Sequence, residues 1–549
     1  MAGNLKPQFF SRIFICSLLL HAWTVLAQNA TNSTAAPSIS WSTCPSGIPP
    51  GVDCGSIRVP LSYKSGNSTA ADGNQTVSLF LTRLNSTGNG TQGPLFFNPG
   101  GPGVGASTLV AAGQFVPNFG VSDAVRRVYT LIGLDPRGVG YSTPIKCDPN
   151  LYNQRIRTFV SDNASYQALV SYNRQFGQSC ANLTGPLLNN LDTIHVAKDH
   201  ELVRRALNAT KFNLLGLSYG TLLGQQYLSL FPSTVGRMAL DGPVDHSQSE
   251  PSALLTESST YEATLNQFFL WCDTNSTCAL NPNNTMSGNS TMSGNSTMSG
   301  NSTMSGNSTM SGNNTMSGNN TEQIFKNLLA QADASPIPAP SCNGTCQPNV
   351  TGEDIRYNVQ SYLQFVDLSY ASNWTGLGAA LLEASNGNAT ALSTPLALTQ
   401  NATSIEGSPF SYLAIGCQDW LHQSRSAVDL ELRLQAVQPF APLTAGASQT
   451  YYYQSRCLGW PAPLTNGQML LNTTITGRAP PVLIAHSVYD PSCSPVWADG
   501  VRQQLPNSVS ITRNGSGHLS HFLLGDTRAV LDTFLANGTL PPDGSVYQT

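Results

Sequence analysis

The chain has 549 residues and few charges, with 26 Lys and Arg against 30 Asp and Glu and a net charge of −4. Its length exceeds that of one ordinary compact domain and suits a large catalytic core that carries an insertion. The charge balance provides no basic field for a polyanion, which excludes nucleic acid as a partner.

The N-terminus has the features of a cleavable export signal. Lys6 and Arg12 precede an apolar run of about 15 residues that ends at Ala27, as secretory signal peptides do. We therefore expect residues 1–27 to be removed and the mature chain, which starts near Gln28, to be extracellular. The run is short for a bilayer span, so no stable membrane insertion is expected.

Glycosylation motifs and cysteines agree with an oxidising compartment. About 25 Asn-x-Ser/Thr sequons run through the chain. Of the 12 cysteines, Cys16 lies in the predicted signal, so the mature chain keeps an odd number. Spacing leaves several connectivities open and makes Cys493 the candidate free structural thiol. The suggested pairs are Cys44 with Cys54, Cys147 with Cys180, Cys272 with Cys278, Cys342 with Cys346, and Cys417 with Cys457.

Short apolar runs alternate with helical or glycine-rich segments on both sides of a long middle region. This rhythm is typical of α/β proteins with a mostly parallel sheet flanked by helices. Residues 192–207 have apolar side chains at helical spacing, which predicts a crossover helix. We assign residues 28–244 and 476–549 to the two parts of this core. The predicted strands are Val77–Leu84, Leu95–Asn98, Val128–Leu134, Phe212–Gly216, Arg237–Leu240 and Val482–His486.

The middle region, residues 245–475, lacks a regular alternation of strand and helix. Its helical segments include those from Glu322 and Val428, and we expect it to fold as a large, mainly helical cap insertion over the site. Within it, residues 283–321 repeat the hexapeptide NSTMSG, with a sequon in each copy. This block cannot form a packed core and predicts a glycosylated flexible loop; a Met-rich metal-binding array is the alternative. Nothing in the sequence requires a metal or an organic cofactor.

A candidate nucleophile lies at the junction of a predicted strand and a predicted helix. Ser218 is the centre of a GxSxG pattern, in which Gly216 and Gly220 permit the sharp turn that lifts the hydroxyl out of the sheet. The Tyr219 amide is then one natural oxyanion donor. The loop Asn98-Pro-Gly-Gly-Pro-Gly lets the backbone approach a ligand closely, and we assign the second donor to Gly101.

A serine hydroxyl needs a base to take its proton and an acid to orient that base. In a strand–GxSxG–helix fold of this kind, the chain order is serine, acid and histidine. Asp490 ends a predicted strand, and His518 follows Gly517 beyond the last strand, so both belong to the same sheet edge as the serine. Asp241 is the competing acid because it also follows a strand, and His521 is the competing base.

A set of motifs in order along the mature chain carries a family resemblance. They are CGSIRVPLSY from Cys54, NPGGPG from Asn98, GLDPRGVGYS from Gly133, GLSYGT from Gly216, RMALDGPVD from Arg237, AIGCQDW from Ala414, CLGWP from Cys457, YDPSCSP from Tyr489 and GSGHLS from Gly515. With them the chain resembles the secreted tripeptidyl-aminopeptidase-like branch of the α/β-hydrolases, which are relatives of prolyl aminopeptidase and have a TAP-like C-terminal region.

The resemblance implies site residues and departs from the family pattern in two places. It implies Ser218, Asp490 and His518 as a catalytic triad, with Gly101 and Tyr219 as oxyanion donors. After Asp490 the chain has Pro-Ser-Cys-Ser-Pro where the family has an aliphatic residue, Thr and Pro, and the low-complexity block is additional. Both departures leave the triad intact and the cap only loosely matched.

The expected function is that of a secreted serine hydrolase, most simply an exopeptidase that acts on free N-termini. The expected partner is thus a peptide or small ester substrate. An aminopeptidase needs a carboxylate for the substrate ammonium, and the candidates are Glu257, Glu262, Asp367 and Asp419. The alternatives are an esterase or lactone hydrolase, because the same triad cleaves esters, and a non-catalytic surface glycoprotein.

Overall fold

The structure is a computed structural model that describes residues 38–281, 320–366, 373–402 and 407–548. These residues belong to one compact unit, Ala36–Thr549. The predicted signal at 1–27, nearly all of the low-complexity block at 283–321, and Asp367 lie outside the described residues.

The described residues contain a ten-stranded sheet in the order β1-β2-β3-β5-β4-β6-β7-β10-β11-β12. Pairing is antiparallel from β1 to β3 and between β3 and β5, and parallel from β5 to β12. The predicted α/β class is confirmed. The strands of this sheet are β1 (Ser40–Ser42), β2 (Asp53–Pro60), β3 (Thr76–Leu84), β4 (Gly93–Asn98), β5 (Tyr129–Leu134), β6 (Phe212–Leu217), β7 (Val235–Asp241), β10 (Val482–Tyr489), β11 (Ser508–Ser516) and β12 (Ser545–Gln548). Strands β8 (Ile337–Pro338) and β9 (Asn349–Val350) form a separate two-stranded sheet.

Helices cover the central strands and fill the region between β7 and β10. They are α1 (Ala106–Ala112), α2 (Asp123–Val128), α3 (Pro149–Tyr152), α4 (Asn163–Thr184), α5 (Thr193–Ala206), α6 (Tyr219–Leu230), α7 (Glu250–Thr274), α8 (Asn320–Ala334), α9 (Gly352–Leu363), α10 (Trp374–Ser385), α11 (Pro409–Asp419), α12 (Ala427–Val437), α13 (Gln449–Arg456), α14 (Thr473–Thr476), α15 (Pro495–Gln504) and α16 (Asp526–Asn537).

Strand β6 illustrates why the sheet forms where the sequence predicts it. All six of its residues, FNLLGL, are buried, as expected for a parallel strand with helices on both faces. Helix α5, which precedes it in the chain, begins after Asp192, whose side chain accepts a hydrogen bond from the amide of His195. The resulting strand–helix junction presents Ser218 at the carboxyl edge of the sheet.

The region between β7 and β10 has a hydrophobic core of its own. Side chains such as Phe268, Phe325, Val359 and Leu381 form a buried cluster from α7, α8, α9 and α10. Helix α7 begins at Glu250, and Pro251 is well suited to the first turn of a helix.

The structure contains the five disulfides that the spacing of the cysteines suggested. Cys493 is free and buried. The Cys417–Cys457 bridge joins the end of α11 to the residue after α13, two helices that contribute side chains to the main cavity. No helix within the described ranges is both long and apolar enough to cross a membrane.

Candidate active site

Ser218 occupies a strained turn between β6 and α6. Its φ of 54° and ψ of −122° lie outside the conformations that most side chains adopt. Two glycines make room for this turn: a Cβ on Gly216 would be 2.5 Å from the Gly220 carbonyl oxygen, and one on Gly220 would be 2.6 Å from the Asn98 carbonyl oxygen. The GxSxG spacing is therefore a packing requirement of the turn.

The glycine-rich loop after β4 lies directly against this turn. A Cβ on Gly100 would be 2.6 Å from the Leu217 carbonyl oxygen and 2.9 Å from Ser218 Cβ. Gly101 has a φ of +107°, and its carbonyl accepts a hydrogen bond from Gln449 Nε2 at 3.1 Å. Within the described chain, the Gly101 and Tyr219 amides donate to no backbone carbonyl across a turn or loop, which leaves them available to a substrate oxygen.

Asp490 and His518, the predicted acid and base, are hydrogen-bonded to each other. His518 Nδ1 is 2.9 Å from both carboxylate oxygens of Asp490. The amides of Ser492 and Cys493 donate to Asp490 Oδ1 at 2.8 Å, and the Leu519 amide donates to Oδ2 at 3.2 Å. With its carboxylate held this way, Asp490 can fix the tautomer and orientation of the imidazole.

Ser218 and His518 line the same cavity, which has a volume of about 860 Å³. They are not hydrogen-bonded to each other; the Ser218 hydroxyl instead contacts Cys493 Sγ at 3.9 Å. Burial raises the pKa of the Cys493 thiol well above its ordinary value. Because the thiolate is the reactive form, the neighbouring cysteine is a poor competitor for the role of nucleophile.

Asp241 and His521, the alternative acid and base of the sequence analysis, make other contacts. Asp241 is not hydrogen-bonded to His518; its Oδ2 accepts hydrogen bonds from the amides of Ser520 and His521, both at 2.7 Å. Its own carbonyl accepts from the Ser218 amide at 2.9 Å. Asp241 therefore braces the serine turn and the histidine loop at once. The His521 ring is fully buried, and this burial lowers its pKa to about 3.

Three of the carboxylates considered for binding a substrate ammonium, Glu257, Glu262 and Asp419, are buried and already bonded, and the fourth, Asp367, lies outside the described residues. Glu257 accepts from the amides of Gln449 and Thr450 and from the Gln360 side chain. Glu262 accepts from two consecutive backbone amides, and Asp419 from a threonine and an asparagine. Among the described residues that line the cavity, none is an Asp or a Glu.

Two contacts from the region between β7 and β10 reach the acid and histidine loops. Gln360 Nε2 donates to the Pro491 carbonyl at 2.9 Å, and the His518 amide donates to the Gln364 carbonyl at 2.7 Å. Sequence reasoning missed both glutamines, because neither has a motif or a distinctive spacing. Their contacts couple the geometry of Asp490 and His518 to helix α9 and the residue that follows it.

The contacts of the Tyr219 side chain, which sequence reasoning also missed, support the turn at Ser218. Tyr219 packs inward, with its hydroxyl 2.5 Å from Thr193 Oγ1, and the same threonine oxygen donates to Asp419 Oδ2 at 2.6 Å. Burial and the neighbouring Asp192 carboxylate raise the pKa of Asp419 to about 7. The residue after the nucleophile is thus tied to a buried carboxylate at the end of α11.

Two families match the chain in the regions that contain the site. A family described as the alpha/beta hydrolase fold matches residues 93–331, which include Ser218. A family described as TAP-like protein matches residues 441–546, which include Asp490 and His518. The chain thus has the α/β-hydrolase fold, and its C-terminal residues 441–546 are similar to the TAP-like family.

Individual relatives of this α/β-hydrolase match it over part of their length. It is 33% identical over 226 residues to the tripeptidyl aminopeptidase of Streptomyces lividans, covering 40% of this chain and 41% of the relative. It is 32% identical to the Mycobacterium tuberculosis serine protease Hip1, covering 44% and 46%, and 32% identical to carboxylesterase B of the same species, covering 45% and 48%. The chain thus spans less than half the length of these curated relatives. A solved proline iminopeptidase from Mycobacterium smegmatis is 12% identical, with a TM-score of 0.36 and coverage of 84% and 95%.

Removing the side-chain hydrogen bonds of Asp241 is expected to impair catalysis more than removing only the charge of its carboxylate. Asp241→Asn keeps an oxygen for the Ser520 and His521 amides, so kcat/KM on an aryl ester should stay within about tenfold of the wild type. Asp241→Ala lets the histidine loop shift, and misplacement by about 1 Å costs on the order of 100-fold. Steady-state kinetics, with Tm as the measure of folding, tests this; equal activities of two folded variants would contradict the brace.

Asp419→Asn is expected to change how stability depends on pH. Because burial raises the pKa of Asp419 to about 7 from 3.8, the folded chain holds a proton that the unfolded chain releases above its ordinary pKa. The stabilisation from that proton is lost as pH rises between these two values. Asparagine mimics the protonated carboxyl, so the wild-type Tm should fall by a few degrees relative to the variant over this range. Parallel Tm curves in a thermal melt series would refute the shift.

Proposed function

We propose that this chain is a secreted serine hydrolase that forms an acyl-enzyme on Ser218. The observation that carries the proposal is the meeting of two elements at one cavity: a strained serine and an imidazole held by a buried carboxylate. Two amides beside the serine, those of Gly101 and Tyr219, donate to no backbone carbonyl across a turn or loop. Export is supported by the predicted signal at 1–27, the density of sequons and the five disulfides.

In the proposed first half-reaction, Ser218 Oγ attacks the substrate carbonyl carbon and His518 Nε2 takes the hydroxyl proton. The carbonyl oxygen becomes an oxyanion, which accepts hydrogen bonds from the Gly101 and Tyr219 amides. Asp490 stabilises the imidazolium through Nδ1. Collapse of the intermediate breaks the bond to the leaving group, which receives the proton from His518.

In the second half-reaction, water attacks the acyl-enzyme. His518 takes a proton from this water, and the oxyanion again forms at the two amides. Collapse then returns the proton to Ser218 Oγ and releases the acid. Because apo hydrogen bonds between nucleophile and base are often long, we expect the Ser218 hydroxyl to turn from Cys493 toward His518 when substrate enters.

The relatives favour a peptide substrate that is trimmed from a free N-terminus, since two of them are named tripeptidyl aminopeptidase. An esterase is the second candidate, and a specific observation favours it: the described cavity wall offers no carboxylate to an ammonium. A relative named carboxylesterase B agrees with this alternative. The third candidate, a non-catalytic glycoprotein, is disfavoured because all three catalytic residue types are present.

Covalent labelling tests whether Ser218 is the nucleophile. A fluorescent phosphonate should label the wild-type protein and fail to label Ser218→Ala, because phosphonylation requires an activated serine. Cys493→Ala is the matched control: it removes the neighbouring thiol and should retain labelling. Labelling that survives in Ser218→Ala, or that disappears in a folded Cys493→Ala, would contradict the assignment.

Three substrates distinguish the aminopeptidase from the esterase: a tripeptide anilide with a free amine, its N-acetylated form and a simple aryl ester. An aminopeptidase should lose about 100-fold or more in kcat/KM when the amine is blocked, since an ionic contact is lost. Unchanged turnover of the acetylated peptide, together with much faster ester hydrolysis, would reject the aminopeptidase. The Ser218→Ala variant provides the background rate for each substrate.

A further inference from the structure

A buried cation without a counter-ion lies behind one wall of the main cavity. Arg456, the last residue of α13, is 8% exposed. Its guanidinium donates one hydrogen bond, from an Nη to the Tyr172 hydroxyl at 3.3 Å, and its Nε has no acceptor. Within the described ranges no carboxylate lies at salt-bridge distance from it. Such a charge is costly to bury unless an anion compensates it.

Two tyrosine rings lie against this cation. The guanidinium carbon lies 4.9 Å from the centre of the Tyr172 ring and 5.6 Å from that of Tyr452. Tyr452 lines the cavity together with Tyr152, whose backbone carbonyl accepts a hydrogen bond from the Tyr172 hydroxyl at 3.1 Å. Arg456 therefore lies next to a residue of the cavity wall, Tyr452, without lining the cavity itself.

The charge of Arg456 acts on the cavity wall. Burial and the neighbouring Tyr452 raise the pKa of Tyr152 well above its ordinary value, and the charge on Arg456 opposes this rise. The hydroxyls of Tyr152 and Tyr452 interact with each other and lie in the positive field of Arg456. An acceptor group that reaches this wall would gain hydrogen bonds from hydroxyls and attraction from the guanidinium in a poorly screened environment.

The other described residues that line the cavity include no carboxylate. Apart from His518, they also carry no basic side chain. The carboxylate of Glu257 lies behind Gln360 and Gln449, where three donors other than solvent satisfy it. No described carboxylate at the cavity surface would therefore repel a substrate carboxylate.

We propose that the acyl part of the substrate carries a carboxylate, which binds at the Tyr152–Tyr452 wall in front of Arg456. This inference rests on the proposed function, because it takes Ser218 as the acyl acceptor. The acyl group is the part that stays in the cavity through both half-reactions, so it is the part that this wall can hold. A carboxylate of this kind comes either from an acidic amino-acid side chain or from the monoester of a dicarboxylic acid.

Matched substrate pairs separate these two sources. The ester arm uses adipic and suberic acid. For each acid, it compares the 4-nitrophenyl monoester, which has a free carboxylate, with the mixed 4-nitrophenyl methyl diester, in which that carboxylate is methylated and the charge is lost. The peptide arm compares glutamyl with glutaminyl 4-nitroanilides. The carboxylate member of at least one pair should have a kcat/KM at least about tenfold higher. Ratios of one or less in every pair would overturn the inference.

Variants assign the preference to the wall. Arg456→Met keeps the length of the side chain and removes its charge, so the preference should fall by about tenfold or more; Tyr452→Phe should lower it through loss of one hydroxyl. Arg58→Met, on the exposed side of β2, is the matched control and should leave the ratio unchanged. A full preference in folded Arg456→Met would overturn the role of this residue.

Two further measurements keep the outcomes distinguishable. If Arg456→Met does not fold, inhibition of the wild type by adipate and by adipamide decides: adipate should inhibit at least about tenfold more strongly, and equal inhibition would overturn the inference. Failure of the proposed function is a different result, because phosphonate labelling would then be independent of Ser218. Labelling that depends on Ser218, without any preference for a carboxylate, would refute the anion site alone.

Discussion

The site depends on the hydrogen bonds that Asp241 makes at the carboxyl edge of the sheet. Its carbonyl receives the Ser218 amide, and its carboxylate receives the amides of Ser520 and His521. One residue at the end of β7 thus fixes the nucleophile turn and the histidine loop relative to each other, although they are about 300 residues apart in the chain. Burial raises the pKa of Asp241 to about 6, so the fold accepts the cost of a poorly solvated carboxylate here.

Helices between β7 and β10 also make hydrogen bonds that position the loops of the site. Helix α9 contacts the acid loop through Gln360, and the residue after it contacts the His518 amide. Helix α13 contributes Gln449, whose side chain donates to the Gly101 carbonyl beside the proposed oxyanion donors. These elements contact the loop that follows Asp490, the His518 amide and Gly101, so changes in this region should alter both substrate choice and catalytic geometry.

The sequence predicts the α/β class well because a central parallel strand and a GxSxG turn have strong local signals. The FNLLGL run of β6 is uniformly apolar, and Gly216 and Gly220 are required by backbone contacts under 3 Å. The sequence also favours His518 over His521, since only His518 follows the flexible Gly517. The supporting residues Gln360, Gln364 and Thr193 could not be predicted, because their roles arise from contacts between distant segments. The buried Arg456 has no local signal for the same reason.

The proposed mechanism requires transfer of an acyl group to Ser218. Mass spectrometry of protein that is acid-quenched during turnover of an aryl ester and then digested measures this transfer. The mass of the acyl group should be added to the peptide that contains Ser218, at a rate consistent with turnover. An adduct on the peptide that contains Cys493, or a burst of product release without any adduct on the Ser218 peptide, would overturn the mechanism.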